Sequence, residues 1–213
     1  MKYKIILASN SPRRKELLGG LDVPFEVKVI QGIDESYPAD LDVYQVAQYI
    51  SHKKAEAYRS LFGENVQGGA GKAKGEAPLL VLTADTVVIA STAHEQNDQE
   101  GRGVILGKPK DAVDAQRMLR MLSGKTHHVV TGVCMTTAHE QRQFSVVTEV
   151  TFKSLSAEEI DYYIRCYQPF DKAGAYGIQE WIGYVGCTGM KGSYFNVMGL
   201  PVQRIYEELQ KME

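Results

Sequence analysis

Residues able to handle a phosphate chain gather in a few short stretches of this sequence. In SNSPRRK, residues 9–15, Ser9, Asn10 and Ser11 place short hydrogen-bonding side chains just before a helix start. Arg13 adds a charged fork beside the free N–H groups of that helix, an arrangement suited to binding anions. The same residues also describe a capped surface helix with ordinary basic side chains. Asp85 and Thr86 follow the apolar run LLVLTA. A carboxylate at a strand end can hold a divalent cation or orient water, and it can equally cap a turn. Thr86 has no activating neighbours and reads as a hydrogen-bond partner rather than a nucleophile. Lys108, before Pro109, is a phosphate-facing or a turn lysine. In FDKAGAYGIQ, residues 170–179, Lys172 can serve phosphate and Gln179 can bond a base edge, while Gly174 and Gly177 allow tight turns or close ligand approach.

Several tempting patterns fail on spacing. SGKTH, residues 123–127, lacks the early glycine of a phosphate loop, since Leu119 stands there, and it reads as a helix end followed by a strand. His127–His128 and His94–Glu95 lack the further ligands of a zinc site. Cys134, Cys166 and Cys187 are not spaced as a zinc ribbon and read as free thiols.

The elements that must carry these residues alternate between strand and helix. YKIILA, residues 3–8, reads as a buried strand, and a helix capped by Ser11 with Pro12 in its first turn runs to Gly19 and Gly20. Further strands are expected at Phe25–Ile30 and Leu79–Leu82, with helices at Val43–Tyr58, Asp111–Leu122, Leu155–Ile164 and from Pro201 to Leu209. Thr- and Val-rich stretches at 127–138 and 142–152 look like an antiparallel pair. GSYFNVMGLP, residues 192–201, reads as a core strand, a turn and a helix start, and the polar stretches 63–78 and 94–103 read as surface loops. The pattern favours a mixed α/β sheet.

The chain has 213 residues, of which 44% are apolar and 23% charged, enough to bury a core without metal or disulfide staples. With 24 basic and 26 acidic residues its formal charge is -2, which argues against a general nucleic-acid or membrane binder. The run Ile5–Ala8 is too short for a signal peptide core, so a reduced cytoplasmic compartment is expected.

Taken in order, LASNSPRRKELL, HKKA, TADTVV, GKP, SGKTH, DKAGAYGIQ and GSYFNVMGLP resemble the Maf family of nucleotide pyrophosphatases over nearly the whole chain. DKAGAYGIQ resembles the branch acting on dTTP and UTP. The resemblance implies a Maf/ITPase-like mixed sheet flanked by helices around a central nucleotide-binding cleft, formed by residues 1–213 as a single domain, undivided or in two lobes around one cleft. It implies hydrolysis of a nucleoside triphosphate to monophosphate and pyrophosphate, with Asp85, Lys54, Lys108 and Arg13 in catalysis. Ser9, Arg13, Thr86, Lys172 and Gln179 would contact substrate, Thr86 and Gln179 at positions tied to base selectivity. Glu35 and Asp85 would hold a divalent cation, Mg2+ or Mn2+, although Asp34 competes with Glu35 for that place. A homodimer is implied. Alternatives are a pyrophosphatase for modified purine nucleotides and a nucleotide-responsive regulator of cell division.

Overall fold

The computed structural model describes residues 2–62, 77–91 and 103–212, so nearly all of the two expected surface loops, 63–78 and 94–103, lies outside the described residues. In chain order the elements are β1 (Lys4–Leu7), α1 (Pro12–Gly19), β2 (Phe25–Val27), α2 (Val46–Glu56), a 3-10 turn (Arg59–Phe62), β3 (Leu79–Ala90), β4 (Val104–Leu106), α3 (Ala112–Leu122), β5 (Thr126–Thr136) and β6 (Gln141–Phe152). There follow α4 (Ala157–Tyr167), a 3-10 turn (Ala173–Ala175), α5 (Trp181–Gly186), β7 (Cys187–Lys191), α6 (Tyr194–Met198) and α7 (Val202–Lys211). The strands form one seven-stranded sheet in the order β2-β1-β3-β5-β6-β7, with β4 also paired to β3. β2, β1 and β3 run parallel, and β4, β5, β6 and β7 join antiparallel. The expected mixed α/β sheet is therefore observed.

β3 is the axis of the molecule. Along one side β5 pairs with it continuously from Val81 to Ala90. Along the other side β1 covers only Leu79–Leu82, and β4 only Val88–Ala90. Among the described residues, 83–87 thus have no strand neighbour on that side. Side chains alternate across a strand, so odd and even positions of β3 face opposite ways. Val87 and Ile89 pack with Val46, Ala47 and Ile50 of α2 on one face. Ala84 packs with Leu200 and Val202 on the other, and Val88 with Leu106, Ala175 and Tyr176. Each fully buried aliphatic side chain contributes about 1.5–3 kcal/mol, so these two apolar layers hold the sheet and its helices in register.

Three expectations need correction. The strand at Leu79–Leu82 continues to Ala90, which places Asp85 and Thr86 in mid-strand rather than at a strand end. The full antiparallel ladder with β5 stabilises that extension despite the polar residues. Residues 192–201 hold a short helix, α6, capped by Ser193 and closed by Gly199 at φ 114°, and no core strand. The strand expected at Phe25–Ile30 stops at Val27, because β1, its partner among the described residues, ends at Leu7. α1, α2, α3, α4 and α7 match their expected stretches to within a few residues, whereas α5 was not expected. Caps explain two of the starts: Asp111 accepts the Asp114 N–H, and Ser156 forms a capping box with Glu159.

Candidate active site

On the α2 face of β3, Asp85 meets Lys54. The ammonium lies 2.7 Å from Asp85 Oδ1 and 3.0 Å from Glu35 Oε1, and both Lys54 and Asp85 side chains are only 14% exposed. This closeness depends on a glycine. Gly132 pairs with Asp85 across the β3–β5 ladder, and a Cβ there would fall 2.3 Å from the Gln48 nitrogen of α2. The missing methyl lets the α2 backbone rest on β5 and brings its last turn, with Lys54, down to the strand. The two adjacent carboxylates divide their tasks. Glu35 points at Lys54, whereas Asp34 binds Lys53 at 2.8 Å and its own neighbour Ser36. The Lys53 and Ser36 hydrogen bonds hold Asp34 well below the usual carboxylate range.

On the opposite face, Arg14 enters the open side of β3. Its guanidinium donates to Gly199 O at 2.8 Å, to Ala84 O at 2.8 Å and to Thr86 Oγ1 at 3.0 Å. Desolvation lowers its pKa while the Asp85 carboxylate works against that, and a guanidinium stays charged throughout. Arg13, one residue earlier, reaches across the cleft mouth to Asp171 at 2.8 Å. Asp171 also binds Lys172 at 2.7 Å, and Lys172 pairs with Glu180 at 3.1 Å. Although desolvation pushes the other way, the Lys172 and Arg13 bonds hold the Asp171 carboxyl at about 2. Glu180 in turn accepts the Tyr163 hydroxyl, which receives the Gly177 N–H. Gly174 makes the turn before this loop: its φ is 68°, and a Cβ would meet Val88 at 2.9 Å. At the loop's end Gln179 Oε1 is buried, with no hydrogen-bond partner among the described residues.

These groups surround one cavity of about 430 Å³, whose walls include Glu35, Lys54, Asp85, Thr86, Lys172 and Gln179. A second cavity of about 450 Å³ opens toward the N-terminus of α1 and shares Arg13, Lys54 and Lys108 with the first. Ser9 lines only the second, and its buried Oγ accepts the Ser11 N–H at 3.2 Å. Lys108 is exposed but stands in both walls. Ser9, Arg13, Glu35, Lys54, Asp85, Thr86, Lys108, Lys172 and Gln179 therefore all border the two cavities, with Ser9 at the far end, whereas Asp34 and Gly174 line neither. Sequence reasoning missed Arg14, Asp171 and Glu180. The doubled arginine in SPRR was the only signal for Arg14, and Asp171 and Glu180 had none beyond lying next to Lys172 and Gln179.

Because Asp85 and Thr86 are consecutive in a strand, they point to opposite faces of the sheet, yet both line the same cavity. Only the interruption beside β3 makes that possible. A ligand can reach carboxylate and ammonium on one face and the hydrogen-bonding loop on the other. The donor set suits a hard divalent cation: Asp85 and Glu35 converge on one cationic point, and Mg2+ usually takes one or two carboxylates plus substrate phosphates. Among the described residues no group of three or more His, Cys, Asp or Glu converges, so phosphate oxygens would have to complete such a shell. No helix among the described residues is long and apolar enough to cross a membrane.

The chain is similar over nearly its whole length to known proteins. A family model described as Maf-like protein matches residues 4–212. A dTTP/UTP pyrophosphatase of Phocaeicola vulgatus is 55% identical over 211 residues, covering 99% of this chain and 97% of its own. The protein of the same name from Porphyromonas gingivalis is 53% identical over 98% of this chain and 94% of its own. That from Bacteroides thetaiotaomicron is 50% identical over 99% and 97%.

Proposed function

The chain belongs to the Maf-like family, and from that premise we propose that it hydrolyses dTTP and UTP to the monophosphate and pyrophosphate, the substrates named for its relatives. The observation that carries this reading is the cavity spanning both faces of β3, with Asp85 and Lys54 at one wall and the unpartnered Gln179 oxygen at another.

In this reading water attacks the α-phosphorus, the bond from that phosphorus to the bridging oxygen breaks, and pyrophosphate leaves. Asp85 accepts the proton of the attacking water. Lys54, already against Asp85 and Glu35, offsets the charge that builds on the α-phosphate. Arg13, Lys108 and Lys172 receive the rest of the phosphate chain, and Ser9 supports the turn beneath it. Asp85 and Glu35 would hold a divalent cation, Mg2+ or Mn2+, which when bound supplies charge neutralisation and makes a water more acidic. Gln179 supplies an amide and Thr86 a hydroxyl for the carbonyl and N–H edge of uracil or thymine, and both line the same cavity. We also place the enzyme in the cytoplasm as a homodimer, a state that light scattering of the purified protein measures directly.

The test is a panel of dTTP, UTP, CTP, GTP and modified nucleotides with Mg2+ or Mn2+, resolving monophosphate and pyrophosphate. Selective release of both products from dTTP and UTP is expected. Preferred turnover of modified purines would replace the substrate, and tight binding without turnover would replace catalysis by a regulatory role.

A further inference from the structure

Thr86 sits in a hydrogen-bond relay whose direction has only one solution. At one end Arg14 Nη2, which can only donate, lies 3.0 Å from Thr86 Oγ1. At the other end the Asn196 carbonyl, which can only accept, lies 3.1 Å from Thr131 Oγ1. Thr131 pairs with Thr86 across the ladder, and their hydroxyl oxygens are 3.0 Å apart. Each threonine has a single hydroxyl proton. Thr131 must give its proton to Asn196, so Thr86 must give its own to Thr131 while accepting from Arg14. Both ends are fixed: Thr131 is fully buried, as is Asn196, whose side-chain amide is tied to Val129 O and Thr148 Oγ1. Thr86 is thereby left with one lone pair and no proton for the cavity it lines.

We propose that Thr131 is a positioning residue that makes Thr86 an acceptor toward the nucleotide, so that the cleft selects a base edge bearing N–H. This rests on the pyrimidine nucleotide reading of the site. Uracil and thymine carry a proton at N3, which meets that lone pair. Cytosine carries a lone pair at N3 and meets it with repulsion. Thr131 reaches no ligand; it acts through the hydroxyl beside it, with Arg14 holding the other end.

The experiment compares kcat/KM for UTP and CTP in wild type, Thr131→Val, Thr131→Ser, Thr86→Val and the double variant Thr86→Val/Thr131→Val, with N3-methyl-UTP as a second probe of wild type. Valine has nearly the shape of threonine but cannot accept the Thr86 proton, which then turns into the cleft. The UTP-over-CTP preference is expected to narrow by about tenfold or more in Thr131→Val, the scale of one hydrogen bond exchanged for a repulsion. Thr131→Ser restores the wild-type preference, and Thr131→Val adds nothing to it in a Thr86→Val background. Wild type turns over N3-methyl-UTP at least about tenfold less efficiently than UTP, for the same hydrogen bond is lost. Equal losses for UTP and CTP in Thr131→Val, the mark of a merely structural role, would overturn the proposal. So would unimpaired turnover of N3-methyl-UTP, a result that needs no variant to fold. A wild type that fails to hydrolyse UTP brings down the pyrimidine reading itself, whereas UTP hydrolysis with an unmoved ratio removes only the part assigned to Thr131.

Discussion

At the scale of single residues, the cleft holds more cations than a resting site can leave alone. Lys54 is neutralised by Asp85 and Glu35, and Arg13 and Lys172 share the carboxylate of Asp171. Replacing Lys54 by Met is expected to reduce kcat on dTTP by about a hundredfold or more, the scale of one lost preorganised donor, with the thermal midpoint as a check on folding. Asp85→Asn should abolish turnover with little change in stability; near-normal turnover would remove Asp85 from its assigned role. Asp171 gives the opposite sign. Its carboxylate, 56% exposed, occupies the two cations proposed to receive the phosphate chain. Asp171→Asn should therefore lower KM and strengthen inhibition by pyrophosphate, each by about three- to tenfold if a surface-exposed ion pair is what the ligand displaces. The sequence made the chemistry of Asp85, Lys108 and Gln179 readable because each follows a recognisable run. It did not distinguish the two arginines of SPRR. That choice is made by the carbonyls of Gly199 and Ala84, far away in the chain.

At the scale of elements, α2 and β5 set the distance on which the site depends. Gly132→Ala would drive a methyl into the α2 backbone at Ala47 and Gln48, at a cost of about 1–3 kcal/mol for overpacking. The helix can answer only by moving away, carrying Lys54 from Asp85. We expect a lowered thermal midpoint together with a fall in kcat that outlasts any temperature correction, seen by assaying well below the midpoint. The helices were legible because periodicity and capping residues mark them locally. β3 was cut short in the sequence reading for a physical reason: its polar residues face a cavity that wraps around the strand, so the alternation expected of a half-buried strand is lost at Asp85 and Thr86. β4 has three residues and owes its existence to β3, and α6 depends on Asn196 reaching Val129 and Thr148. Such elements leave no periodic trace.

At the scale of the whole molecule, acid should lower stability through one buried ring. His127 is buried in β5 among Phe152 and Tyr176, its Nε2 2.8 Å from the Tyr176 hydroxyl, and burial pushes its pKa down to about 3. The unfolded chain takes up this proton near pH 6.5 and the folded chain does not. The stability associated with the neutral ring is thus complete above pH 6.5 and is lost as pH falls toward 3, with a slope of up to about 1.4 kcal/mol per pH unit. Denaturant unfolding of wild type and His127→Gln between pH 7 and about 5, before most carboxylates titrate, should show the slope only in wild type. The break beside β3 also bears on how such a protein changes over generations. In the proposed mechanism proton transfer is arranged against α2, and base reading against α6 and the loop ending at Gln179, with one strand between them. On that mechanism, substitutions behind α6 would alter which nucleotide is accepted while the separation of Lys54 and Asp85 stays fixed by Gly132. New specificities can therefore accumulate on one side of the sheet without passing through inactive intermediates on the other.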